Sequence, residues 1–109
     1  MADTYKVLAQ VNPTAGNLTT AYTVPAATQA VVSSIIVTNR SSTVTKFRVS
    51  VAVAAAANDD KQYLYYDVLI PGNDTFAATL GIALEATDLI RVYALDATLS
   101  FNIFGMEIA

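Results

Sequence analysis

Apolar and polar residues alternate along much of this chain, which is the pattern of β-strands with one buried face. In the segment FRVSVAV, Phe47, Val49 and Val51 face one way, whereas Arg48 and Ser50 face the other. The segment AVVSSIIVTN is instead β-branched on both faces, which predicts a central strand that is covered on both sides.

Turn-forming clusters of Pro, Gly, Asn, Asp and Ser, such as NPTAGN and PGND, separate these segments. Strands about every ten residues without a helical period predict an all-β fold, a single antiparallel β-sandwich that is jelly-roll-like. The alanine run 52–58 could add one helical turn. About eight strands are predicted, near 4–11, 20–24, 30–39, 44–54, 62–70, 75–80, 88–95 and 98–108.

The segment YLYYDVLI is the richest in tyrosine. A period of two places Tyr63 and Tyr65 on the outer face, with Leu64 and Tyr66 in the core. Two outward rings at this spacing could stack a sugar or a base, pack across strands, or fill a contact between subunits. Asp67 on the same face is expected to pair with Lys or Arg of a neighbouring strand rather than to act as a catalytic acid.

The apolar positions of the last segment, LSFNIFGMEI, shift by one residue beside Gly105, which predicts a β-bulge there. Whether Phe104, Met106 and Ile108 pack inside the sandwich or against a partner stays open. The predicted core consists of Val32, Ile36, Phe47, Val49, Val51, Leu64, Val68, Ile90, Val92, Phe101 and Ile103.

The composition describes one domain of 109 residues that is 54% hydrophobic and only 14% charged. Soluble domains are typically about 25% charged. A surface that is rich in Thr and Ala and low in charge is typical of a subunit that is partly buried by neighbouring subunits. The alternative is a Thr-rich monomer.

The absence of His and Cys excludes the common acyl-transfer triads, Cys–His dyads and thiolate or imidazole metal sites. We therefore expect no enzyme, no catalytic residue, no cofactor and no metal. An enzyme would have to be a hydrolase that uses carboxylates alone. The turn 58–60, NDD, offers oxygen ligands for calcium, but its spacing does not match an EF-hand loop.

A net charge of −3 with scattered cations argues against a nucleic-acid partner. No apolar run approaches the ~18 residues that span a bilayer, so no membrane partner is expected. The N-terminus lacks the pattern of a signal peptide, and we expect synthesis in a cytoplasm without export by the usual route.

Three features together resemble a known group of proteins. They are YTVP followed by a β-branched strand that ends in VTN, the segment YLYYDVLIPGNDT, and the terminal segment GIALEATDLIRVYALDATLSFNIFGMEI. Over residues 18–108 the chain resembles small β-sandwich virion structural proteins of tailed bacteriophages, which include capsid cement (decoration) proteins, head fibres and tail modules. The resemblance implies a non-enzymatic structural protein, often trimeric, that is assembled in the host cytoplasm and located on the virion.

From this resemblance we expect a capsid cement protein that braces capsomer junctions. Its partners would be itself, as a homotrimer, and the major capsid protein or another virion protein. The alternatives are a tail or fibre component and, from another class, a carbohydrate-binding β-sandwich. Residues 1–17 would form an N-terminal arm or a first strand, and residues 18–109 the sandwich. The predicted contact residues are Tyr5, Tyr22, Arg40, Tyr63, Tyr65, Phe104, Met106 and Ile108.

Overall fold

Residues 3–109, which the computed structural model describes, form eight β-strands in two sheets. Two single 3-10 turns, Val53–Ala55 and Asp60–Gln62, lie between the fourth and fifth strands, and the first of them occupies the alanine run. No helix within residues 3–109 is long and apolar enough to cross a membrane. The strands are β1 (Asp3–Val11), β2 (Leu18–Thr23), β3 (Gln29–Asn39), β4 (Thr45–Ala52), β5 (Tyr63–Ile70), β6 (Thr75–Leu84), β7 (Leu89–Ala94) and β8 (Leu99–Ile108).

The first sheet has the order β1-β8-β3-β6 and the second sheet the order β2-β7-β4-β5. All neighbouring strands are antiparallel. The pairing of β1 with β8, β2 with β7, β3 with β6 and β4 with β5 is that of a jelly roll. The predicted eight-strand, jelly-roll-like sandwich is therefore confirmed. The N-terminal residues 3–11, for which the sequence allows an arm or a strand, form edge strand β1.

The core lies between the two sheets and matches most of the predicted positions. Those that are fully buried are Val32, Phe47, Val49, Ile90, Val92, Phe101 and Ile103. Val51 and Val68 pack against this core while partly exposed. The predictions for Ile36 and Leu64 are wrong, because both side chains point outward.

A bulge in β3 explains the outward direction of Ile36. On β3, Val32 and Ser34 pair with the consecutive residues Gly105 and Phe104 of β8, so Ser33 is an extra residue. The extra residue shifts the alternation, and Ile35 turns inward while Ile36 turns outward. Strand β3 is central, as predicted, but its outward side chains are only partly buried, so the predicted cover on both sides is not seen in residues 3–109.

The predicted bulge beside Gly105 lies in the partners of β8 and not in β8 itself. On β1, Leu8 is likewise an extra residue, because Val7 and Ala9 pair with Phe104 and Ile103. Strand β8 keeps its alternation, and Gly105 takes an inward position. A Cβ atom at Gly105 would overlap the carbonyl oxygen of Val31. The glycine therefore permits the close approach of β3 at the two bulges.

A buried amide joins the loops at one end of the sandwich. Asn39, the last residue of β3, donates from Nδ2 to the carbonyl oxygens of Thr43 at 2.8 Å and Ile70 at 3.3 Å. Its Oδ1 accepts from the backbone N–H of Ser41 at 3.0 Å and from Thr98 Oγ1 at 3.2 Å. One side chain thus satisfies polar groups of several loops that would otherwise lie unpaired.

We expect Gly105→Ala to lower the free energy of unfolding by about 1–3 kcal/mol, because the added methyl group must displace the β3 backbone. The matched control is Gly81→Ala on β6, where a Cβ atom would meet nothing within 4 Å. That variant should be neutral or up to about 1 kcal/mol more stable. Urea denaturation of the two variants measures the difference, and equal midpoints would contradict the close approach.

Candidate functional site

Strand β5 contains a bulge that reorients its tyrosines. Val68 pairs with Phe47 and Tyr65 with Val49, so Tyr66 and Asp67 together lie opposite a single β4 residue. Asp67 adopts a left-handed backbone with φ of 53°. Aspartate is among the non-glycine residues that tolerate this region best. Because of this bulge, Tyr66 points outward, whereas regular alternation would bury it.

The prediction that Tyr63 and Tyr65 share the outer face is wrong. Because Tyr65 pairs with the buried Val49, its ring points inward, and its centroid lies 5.2 Å from that of Phe76. Leu64 is an extra residue between the pairs Tyr65–Val49 and Tyr63–Ser50, so Tyr63 stays outside. Its ring meets the edge of the Tyr66 ring at 4.9 Å. The two rings therefore cannot stack one ligand together.

Tyr66 is 57% exposed and not part of the core, contrary to the prediction. Its ring lies beside Arg48, whose guanidinium carbon is 4.2 Å from the Tyr66 centroid and 4.4 Å from that of Tyr93 on β7. Such short distances give a cation–π interaction with each ring. The guanidinium thus contacts two aromatic rings on the outside of the second sheet.

Asp67 completes this arrangement by pairing with two cations of β4. Arg48 donates from Nε to Asp67 Oδ1 at 2.6 Å, and Lys46 Nζ lies 3.6 Å from Oδ2. The predicted pairing of Asp67 with Lys or Arg of a neighbouring strand is confirmed. The hydrogen bond from Arg48 and the charge of Lys46 hold the pKa of the Asp67 carboxyl below its usual value.

We call Lys46, Arg48, Tyr66, Asp67 and Tyr93 the β5 cluster. Both cations of the cluster pair with Asp67, so this carboxylate is not free to act as an acid or a nucleophile. Leu69, which is 70% exposed, extends the same surface along β5. Tyrosine and arginine beside an exposed leucine form a surface suited to binding a protein, since aromatic residues and Arg are enriched at interfaces.

The other predicted contact residues lie in different parts of the fold. Tyr5 is 83% exposed on β1. Phe104, Met106 and Ile108 point outward from β8 and are partly buried by their neighbours. Arg40 donates to the side chain of Asn12 at 3.0 Å and to the carbonyl oxygen of Ala97 at 2.9 Å, so it links two loops.

Tyr22, also predicted as a contact, is only 8% exposed, because it pairs with the buried Ile90 and points inward. Its hydroxyl donates to Glu107 Oε2 at 2.5 Å, and Lys6 Nζ lies 3.1 Å from Glu107 Oε1. Burial first, and then this hydrogen bond, raise the pKa of Tyr22 far above its usual value. The bonds from Tyr22 and Lys6 lower the pKa of Glu107. This link ties β2 of the second sheet to β8 and β1 of the first.

The turn that offered oxygen ligands for calcium serves as a helix cap. Asp59 accepts from the backbone N–H of Lys61 at 3.3 Å, and Gln62 Oε1 accepts from the N–H of Asp59 at 3.3 Å. This reciprocal pair is a capping box on the second 3-10 turn. Within residues 3–109, no group of three or more acidic side chains is placed to hold a metal ion.

Sequence reasoning missed the aromatic stack on Arg48 and the Tyr22–Glu107 bond. The stack joins β4, β5 and β7, which are distant in sequence, so no local pattern indicates it. The sequence did indicate that Glu107 would be bonded, because an acid between Met106 and Ile108 at the end of an apolar strand needs a partner.

The chain matches no protein-family model and none of the curated proteins with which it was compared.

We expect Asp67→Asn to weaken the acid dependence of stability. Because the folded pKa of Asp67 is depressed, its contribution is present above the unfolded pKa and is lost as pH falls through the folded value. Melting temperatures between pH 2 and 7 should therefore fall less steeply below about pH 4 in the variant. Asparagine also tolerates the left-handed backbone, so the fold is kept. The control is Asp60→Asn in an exposed turn, and identical acid profiles of the Asp67 variant and the parent would contradict the pairing.

We expect Tyr22→Phe to cost about 1–2 kcal/mol at pH 7 by removing the hydrogen bond to Glu107. Because the folded pKa of Tyr22 is raised, the parent also loses this stabilisation as pH rises above about 10, whereas the variant does not. Urea unfolding at pH 7 and at high pH measures both effects. Tyr5→Phe, which alters an exposed tyrosine, should behave as the parent at both pH values.

Proposed function

We propose that the protein is a non-enzymatic structural subunit of a tailed-phage virion and acts as a capsid cement protein that braces capsomer junctions. The observation that carries this proposal is the apolar character of the surface. Within residues 3–109, eight large hydrophobic side chains are at least 41% exposed, from Tyr5 and Val7 on β1 to Leu64, Tyr66 and Leu69 on β5. Exposed apolar groups of this kind mark surfaces that partners cover.

The polar groups of the described structure support a structural role rather than chemistry. Asp67 and Glu107 are engaged by Arg48, Lys46, Tyr22 and Lys6 in bonds that join strands or sheets. Such pairs position backbone segments and leave no acid and base facing a common space, which acid–base catalysis requires. The carboxylates of Asp67 and Glu107 thus stabilise the fold.

The resemblance to phage virion proteins supports the proposal that the assembly to which this subunit belongs is a phage particle. The segments that carry it coincide with β2–β3, with β5, and with β6–β8. Jelly rolls occur in viral capsids, but the same fold also hosts lectins and enzymes, so the fold alone does not select this function. The resemblance and the apolar surface together favour a virion subunit.

The proposed partners are further copies of this chain, as a homotrimer, and the major capsid protein or another virion protein. The two outer sheet surfaces differ in chemistry, which suits two kinds of partner. The β5 cluster combines aromatic rings with charges, as interfaces between different proteins often do. The outer surface of the first sheet is nearly free of charge.

A carbohydrate-binding module receives no support from the tyrosines on which that alternative depended. The ring of Tyr65 lies on the core side of β5 and that of Tyr63 on the outer side, so the two rings cannot form one surface on which a sugar stacks. Tyr66 and Tyr93 do expose rings, but Arg48 occupies the space between them.

The proposal predicts that the chain sediments with particles. A lysate of the culture that expresses the gene naturally would be separated on a density gradient and probed with an antibody against the chain. We expect the chain in the fractions that hold DNA-filled heads, and retained after tails are sheared off. Recovery only with sheared tails would indicate the tail or fibre alternative, and recovery only as free protein at the top of the gradient would refute a virion role.

A further inference from the structure

The outward side chains of the first sheet line up in rows that cross all four strands. Tyr5, Met106, Val31 and Ala83 are successive Cα partners on β1, β8, β3 and β6. All four are apolar or aromatic, and they lie on the solvent side of the sheet. Cross-strand neighbours of this kind contact and partly bury one another, so they form one continuous surface.

The next row continues this surface toward the middle of the sheet. It contains Val7, Phe104, Ser34 and Thr79 on the same four strands. The first two are large and apolar, and the other two are small and uncharged. We call the outward side chains of β1, β8, β3 and β6 the first-sheet face.

The first-sheet face is almost without charge. At its outward register positions within residues 3–109, Asp3 at one end is the sole charged residue. Lys6 points to the opposite side of β1, where it meets Glu107. Lys46 and Arg48 lie on the second sheet. An antiparallel sheet with one solvated side ordinarily presents polar and charged residues there. This face does carry polar residues, such as Gln10 and Asn102, but they are uncharged.

The size of the face is close to what a stable interface needs. Four strands about 4.8 Å apart and about ten residues at about 3.4 Å each give a projected area of roughly 650 Å², before the relief of the side chains is counted. A standard interface buries about 800 Å² per partner. The face therefore provides nearly all the area that one specific association requires.

The chemistry of the face fits a second copy of the same chain. The protein has a net charge of −3, so identical copies repel one another wherever their charged surfaces meet. Two uncharged faces meet without that repulsion and leave no ion unpaired in the contact. A charged partner surface would instead lose its solvation against a face that offers it no counter-ion.

The edge of the same sheet gives independent support. Strand β6, TFAATLGIAL, is a ten-residue edge strand with no proline and no charged residue. Natural proteins normally protect a long exposed edge with charges, proline, a bulge or a short strand. Strand β6 has a bulge, with Leu80 and Gly81 opposite Ser33, but neither charge nor proline, so a neighbouring molecule could lie beside it.

We propose that the first-sheet face, centred on Phe104 and Met106, is the surface through which copies of this chain associate. The assignment rests on the self-association in the proposed function and names the surface that performs it. It leaves the β5 cluster on the other sheet free for a different protein. Two copies packed face to face about a two-fold axis would bury the face, and in a trimer the three faces would instead converge around the three-fold axis.

The test is the solution mass by light scattering after size exclusion, at micromolar concentration, for the parent and three variants. Phe104→Lys places a charge at the centre of the face, and Tyr5→Lys places one at an 83% exposed edge position where unfolding is not a concern. Leu69→Lys is the matched control, because it adds the same charge at a 70% exposed position on the second sheet. Circular dichroism confirms that each variant is folded.

We expect the parent at a multiple of 11.5 kDa, the Leu69 variant unchanged, and at least tenfold weaker association for the other two. If only the Leu69 variant dissociates, self-association stands and the first-sheet face is the wrong surface. If the parent is a monomer throughout, this inference fails. The sedimentation of the chain with particles is measured separately and would still decide the virion role.

Discussion

The register between strands controls the direction of the outward side chains in this sandwich. Side chains alternate with a period of two, so one extra residue in a strand exchanges inward and outward positions beyond it. Extra residues at Leu8 and Ser33, and the left-handed Asp67 in β5, introduce such exchanges. The core, the β5 cluster and the first-sheet face all depend on where these bulges lie.

Two of the bulges depend in turn on one glycine. Gly105 lies inward in β8 between β1 and β3, where the carbonyl oxygen of Val31 leaves no space for a Cβ atom. The close approach keeps β8 paired on both sides while its two partners each accommodate one extra residue. Consequently Val7, Phe104 and Ser34 come to lie in a single row on the outer surface.

The charged residues are distributed in a way that matches this geometry. Arg48 and Lys46 share the carboxylate of Asp67 outside the second sheet. Glu107 binds both Lys6 and Tyr22 between the sheets. The outward register positions of the first sheet, in contrast, hold one charged residue within residues 3–109, which is Asp3. The protein thus has one surface that is aromatic and charged and another that combines apolar with uncharged polar residues and carries almost no charge. Such a division suits the contacts that we propose, with copies of the same chain through one surface and with a different protein through the other.

The amino-acid sequence by itself determined the all-β class, the number of strands, their approximate limits and most of the core. These features follow from local alternation and from turn residues, which act over a few positions. It also indicated that Asp67 would pair with a cation, since a mid-strand acid needs one. Only the tertiary structure decided which tyrosines face outward, that Arg48 lies between Tyr66 and Tyr93, and that Tyr22 bonds to Glu107. Each of these depends on the register between strands distant in sequence, and a bulge that shifts this register by one residue leaves little trace in the local pattern.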